Sequence, residues 1–145
     1  MNTKIIKLLS LLVLTMVLFS CSNSSSTTPT PAPSTNTTNV QKGNWKITLY
    51  TKKGIDETNS FTAYTFTFNS TGGINATNGT KTVSGTWADG TDDSKTELIF
   101  DFGTTSPFDE LNEDWTIIEN TSTKLNLQHV SGGNGGTSQL TFERL

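Results

Sequence analysis

Apolar side chains recur at every second position through much of the chain between Trp45 and Phe142, and this period constrains the fold more than any other feature. A period of two puts alternate side chains on opposite faces of an extended strand, one buried and one wet. Trp45, Ile47 and Leu49 alternate with Lys46 and Thr48, and Tyr64, Phe66 and Phe68 alternate with Thr65 and Thr67. Val83 and Trp87 flank Gly85 on one face of a later run. Leu98, Phe100 and Phe102 lie opposite Glu97 and Asp101, with Ile99 breaking the polarity. Trp115 and Ile117 follow, with a second exception at Ile118, and then Leu125 with Leu127 and Leu140 with Phe142. Threonines crowd the polar faces, where a β-branched side chain suits a pleated, solvated surface.

Turn residues separate the runs: Lys53-Gly54, Thr71-Gly72-Gly73, Asn78-Gly79, Asp89-Gly90 and the glycine-rich stretch from Gly132 to Gly136. With a short strand near Ile74 to Thr77, the runs number eight. One segment, Ser106 to Asn112, has a helical signature of a turn or two. Ser106 is placed to cap it, Pro107 suits its first position, and Asp109 and Glu110 suit the positive end of its dipole. The prediction is an all-β fold, a single small antiparallel eight-stranded up-and-down β-barrel, because closure removes the unpaired edges of consecutive hairpins. A β-sandwich of two sheets would use the same alternation and is the alternative.

The chain ahead of this domain has a different composition. Lys4 and Lys7 precede an apolar run from Leu8 to Phe19, broken only by Ser10 and Thr15. A helix needs about twenty residues to cross a bilayer core, so a run of a dozen reads as the h-region of a signal peptide, residues 1–20. It ends in Leu18-Phe19-Ser20-Cys21, which resembles the lipobox of bacterial lipoproteins. That resemblance implies a diacylglycerol on the Cys21 thiol, cleavage before the cysteine, and acylation of the new amine by a palmitate-class chain. Two or more acyl chains hold a protein on a bilayer stably. Cys21 is the sole cysteine, so no disulfide supports the domain.

Residues 21–39 form the expected tether, because from Ser22 to Asn39 the sequence holds no charge and no aromatic side chain. Pro29, Pro31 and Pro33 favour an extended spacer, with a reach of about 50 Å over these residues. Without Lys4 and Lys7 there are 8 basic and 13 acidic residues, a net charge of −5. An acidic chain with one arginine lacks the clustered cations that nucleic acid requires. The domain itself is expected over residues 40–145, enough for one core.

The motifs of this domain resemble a lipocalin, and more closely the lipocalin-like domains of lipoproteins from Bacteroidetes-type bacteria. Gly43-Asn44-Trp45 is similar to the Gly-x-Trp element that opens the first lipocalin strand. Tyr64-Thr65-Phe66-Thr67-Phe68 before Gly72-Gly73, Gly85-Thr86-Trp87, and a closing strand with Phe142 match the layout of the lipoprotein domains. The resemblance implies a further contact: Arg144, on the last strand, packs across Trp45 on the first.

Catalytic chemistry finds little support. His129 is the only histidine, so no histidine pair exists for a metal, and no nucleophile-elbow sequence accompanies it. It is placed at a strand end on the barrel rim. Asp109, Glu110, Glu113 and Asp114 read as a solvated capping turn, and Asp89 to Ser94 as a hairpin loop with the alternating oxygens that calcium favours. No catalytic residue, metal site or cofactor is assigned, and the chain is not expected to be an enzyme.

Binding remains. An eight-stranded barrel either fills with side chains or holds one small ligand. The first expectation is a lipid-anchored envelope protein, a monomer, binding a small apolar ligand in a pocket lined by Trp45, Tyr64, Phe66, Phe68, Trp87, Phe100 and Trp115. The alternative is a filled barrel acting as a non-catalytic protein- or glycan-interaction module. The expected location is the outer membrane, on its periplasmic face, because no acidic run follows Cys21.

Overall fold

The computed structural model describes residues 37–133 and 135–145; the expected signal peptide, Cys21 and the expected tether up to residue 36 lie outside the described residues. Nine strands follow in order: β1 (Trp45–Lys52), β2 (Ile55–Asp56), β3 (Thr65–Phe68), β4 (Gly73–Thr77), β5 (Thr82–Asp92), β6 (Lys95–Asp101), β7 (Asp114–Asn120), β8 (Lys124–Val130) and β9 (Thr137–Arg144). Each long strand pairs antiparallel with its neighbour in sequence, and β9 returns to β1 from Trp45↔Arg144 to Thr51↔Gln139. This last pairing closes an eight-stranded barrel and excludes the open sandwich. The two-residue β2 pairs only with the end of β1 and lies outside the barrel circuit.

The inward faces follow the alternation with informative exceptions. In β1 a bulge between Ile47 and Leu49 adds a residue, so Tyr50 turns inward where Leu49 was expected. In β7 Ile118 is 55% exposed, on the face opposite Trp115 where the alternation placed it, and a bulge between Ile117 and Glu119 shifts the register beyond it. Tyr64 stands just before β3 and is half-buried, not a strand residue.

Asp89-Gly90 is not a turn. Strand β5 runs through both, and the chain reverses at Asp93-Ser94, whose φ angles of +44° and +65° suit a two-residue type I′ hairpin. A Cβ on Gly90 would lie 3.3 Å from Ile99 Cδ1, the far end of an exposed side chain on the paired strand. The segment before β7 is a single 3-10 turn, Phe108–Leu111, with Pro107 at its cap position and no side-chain cap from Ser106. What anchors it is burial of Phe108 and Leu111, not capping.

Packing extends ahead of residue 40. Thr37 and Val40 are buried, Trp45 Nε1 donates to the Val40 carbonyl at 2.9 Å, and Arg144 Nη2 donates to the Asn39 carbonyl at 2.8 Å. The guanidinium carbon of Arg144 lies 4.7 Å from the centroid of the Trp45 ring, within reach of a cation–π attraction.

Candidate functional site

Six of the seven aromatics predicted to line a pocket (Trp45, Phe66, Phe68, Trp87, Phe100 and Trp115) are buried and belong to one continuous core, with Tyr64 packed against it. They meet other rings or close the ends. Phe68 lies 5.7 Å from Trp87, 5.9 Å from Phe100 and 5.7 Å from Phe142, and Phe66 lies 5.3 Å from Phe142. Most of these pairs are edge to face, the arrangement the ring quadrupole favours. Indole nitrogens are satisfied locally: Trp87 Nε1 donates to the Asn69 carbonyl and Trp115 Nε1 to the Leu111 carbonyl.

One end of the barrel carries a stopper that the alternation did not reveal. Phe108, from the 3-10 turn, sits 5.5 Å from Phe61, 4.9 Å from Tyr64, 6.2 Å from Phe66 and 5.3 Å from Phe102. Phe61 and Phe108 come from loops, where no period marks a buried face. Tyr50 completes the group, 5.4 Å from Phe61, with its hydroxyl donating to the Glu110 carbonyl at 2.9 Å. Burial, with the carboxylates of Glu57, Glu113 and Asp109 nearby, pushes the Tyr50 phenol up to about 12.

A concavity lies on the outer wall. A groove of about 470 Å³ runs along β6, β7 and β8, under the β5–β6 hairpin tip. It exists because β6 and β7 pair over only three residues, Glu97–Ile99 against Asp114–Thr116, whereas β5 and β6 pair over seven. The hairpin tip therefore parts from the β7 wall. Ile117, Ile118 and Val130 give the groove an apolar component, while Asp92, Asp93, Glu97 and Asp114 give it negative charge against Lys95. Glu97 is 9% exposed, and Thr116 donates to its Oε1 at 3.2 Å.

At one end of this groove stands His129. Its Nδ1 is 2.9 Å from Asp114 Oδ1 and 3.0 Å from the Asp114 carbonyl oxygen, and its Nε2 is 3.5 Å from Glu113 Oε2. Its ring packs 6.1 Å from Trp115. The acidic run read as one capping turn is thus divided. Glu110 pairs with Lys52, while Glu113 and Asp114 turn to a histidine fifteen residues past Asp114. Asp89 and Asp92 lie on the β5 ladder opposite Leu98 and Lys95. Among the described residues, the sole group of three or more potential metal ligands is Glu113, Asp114 and His129, so the calcium-like run does not assemble one.

A scan against protein-family models and searches of curated proteins and of solved structures find nothing that matches this chain.

Proposed function

We propose that this chain is an envelope lipoprotein, held on the outer membrane through Cys21, whose barrel is a non-catalytic recognition module working through its outer surface. The observation that carries the reading is the ring-to-ring packing of the interior, together with the Phe108 stopper, beside an open groove on the wall. A small apolar ligand inside the barrel would have to separate edge-to-face pairs each worth about 0.5–1.5 kcal/mol beyond their buried area. The outer groove needs no such rearrangement. Its acidic rim and apolar residues fit a protein segment that presents basic side chains next to apolar ones. The run from Leu8 to Cys21 supports the anchor, and the proline-bearing segment that follows supports a module standing clear of the lipid.

Two measurements on the detergent-extracted chain test this. Native mass spectrometry is expected to give the mass of the lipidated polypeptide alone; a reproducible additional mass of a few hundred daltons, lost on denaturation, overturns the filled barrel. A photo-crosslinking residue at position 118, in the groove, is expected to trap a discrete envelope protein in intact cells. Equal trapping from position 46, an exposed position on β1 outside the groove, would refute the groove as the contact surface.

A further inference from the structure

We propose that the groove on the barrel wall binds the guanidinium of an arginine side chain, held by the carboxylate of Glu97. The inference rests on the reading of that groove as the contact surface and narrows what the surface recognises. Asp92, Asp93 and Asp114 line the groove as exposed carboxylates, and water solvates them without help from a ligand. Glu97 differs, because it lines the same groove while only 9% exposed. Taking a carboxylate out of water is costly unless a cation or several donors replace the lost hydration. Glu97 has one replacement, the Thr116 hydroxyl that donates to Oε1 at 3.2 Å. Its neighbours across the ladder are Thr116 and Gly90, one hydroxyl and no side chain at all. Among the described residues no lysine, arginine or histidine forms an ion pair with it. Lys95, two positions along the same outward face, stays exposed.

A glutamine at position 97 would accept the Thr116 bond equally well, so the fold gains nothing from the charge. A cation from outside the chain accounts for it. A carboxylate presents two oxygens in one plane, which a planar guanidinium matches with two parallel hydrogen bonds, whereas an ammonium is a point charge. The guanidinium is also the more weakly hydrated of the two, so it leaves water more readily for a buried partner. Its methylene stem and an apolar neighbour in the partner meet Ile118 and Val130, which are 55% and 65% exposed in the groove. A second copy of this chain does not supply the group. Arg144 is the sole arginine, and it is engaged with the Trp45 ring and the Asn39 carbonyl. The occupant is therefore a segment of another protein in which an arginine stands beside apolar residues.

The test uses three fluorescently labelled, amide-capped peptides, Ala-Leu-Arg-Leu-Ala and its lysine and citrulline counterparts, titrated against the detergent-extracted chain by fluorescence anisotropy. The arginine peptide is expected to bind saturably and one to one. The citrulline peptide, which keeps the shape without the charge, should bind at least about tenfold more weakly, and the lysine peptide should fall between them. Glu97→Gln should weaken the arginine peptide at least about tenfold while its melting temperature equals or exceeds that of the wild type. The proposal is overturned by the absence of saturable binding at millimolar arginine peptide, by a citrulline or lysine peptide that binds as tightly, or by a Glu97→Gln chain that binds like the wild type. A Glu97→Gln chain that melts lower or fails to fold also overturns it, since the carboxylate would then serve the fold. Crosslinking from position 118 reads the groove independently: a trapped partner beside a failed arginine titration leaves the contact surface standing and refutes only the guanidinium site.

Discussion

Arg144→Ala removes a side chain that joins the two ends of the folded chain. Three contributions set its magnitude. The guanidinium lies 4.7 Å from the Trp45 ring centroid, and a cation–π contact is worth about 0.5–1 kcal/mol when exposed and about 2 when desolvated. Nη2 donates to the Asn39 carbonyl at 2.8 Å, and a bond with one charged partner adds about 1.5–3 kcal/mol. Against these, Nε is buried without a hydrogen-bond partner, which costs about 1–3 kcal/mol. The net loss is about 2 kcal/mol. For a domain of this size each kcal/mol moves Tm by about 4–8 °C, so the expected fall is roughly 8–16 °C. Differential scanning calorimetry at neutral pH measures it. Arg144→Lys separates the causes, since a lysine keeps the charge but loses the planar fork, and it should recover less than half of the loss. A shift below about 2 °C for Arg144→Ala would refute the reasoning, because the strand pairing would then hold without the contact.

Three further outcomes follow from other parts of the structure. Gly85→Ala places a Cβ 2.5 Å from the Asp101 carbonyl oxygen and 2.8 Å from Phe102 Cδ1, so overpacking should cost about 1–3 kcal/mol and lower Tm visibly; an unchanged melt would sink the close approach. Tyr50 has a phenol pKa of about 12 in the fold against 10.0 unfolded, so the folded state keeps its proton longer. That contribution to stability is fully present below pH 10 and is lost as pH rises toward 12. Melting from pH 9 to 12 should therefore fall more steeply in the wild type than in Tyr50→Phe, and parallel curves would contradict it. Cys21→Ser should move the protein from the membrane pellet to the soluble envelope fraction, read by immunoblot after fractionation; membrane retention would refute lipidation there.

The alternation made most of the barrel legible, because a period of two admits little else once turn residues punctuate it. Trp87, Leu98, Leu127, Leu140 and Phe142 all lie inward as the pattern implies. It faltered where a bulge changed the phase, at Leu49, since an inserted residue leaves no local mark on composition. It also misplaced the β5–β6 turn, taking Gly90 for a reversal when β5 runs through it and the chain turns at Asp93-Ser94.

What the amino-acid order determined alone is therefore local and periodic: strand content, one domain, the single cysteine at the end of an apolar segment, and a net acidic charge. Closure of β9 onto β1, the Phe61–Phe108 stopper, the outer groove and the meeting of Glu113, Asp114 and His129 were decided by tertiary structure. Each joins groups far apart in sequence or in irregular loops, where no period marks which side chain turns inward. Their proximity depends on strand register and on where two strands part, and both are properties of the assembled sheet.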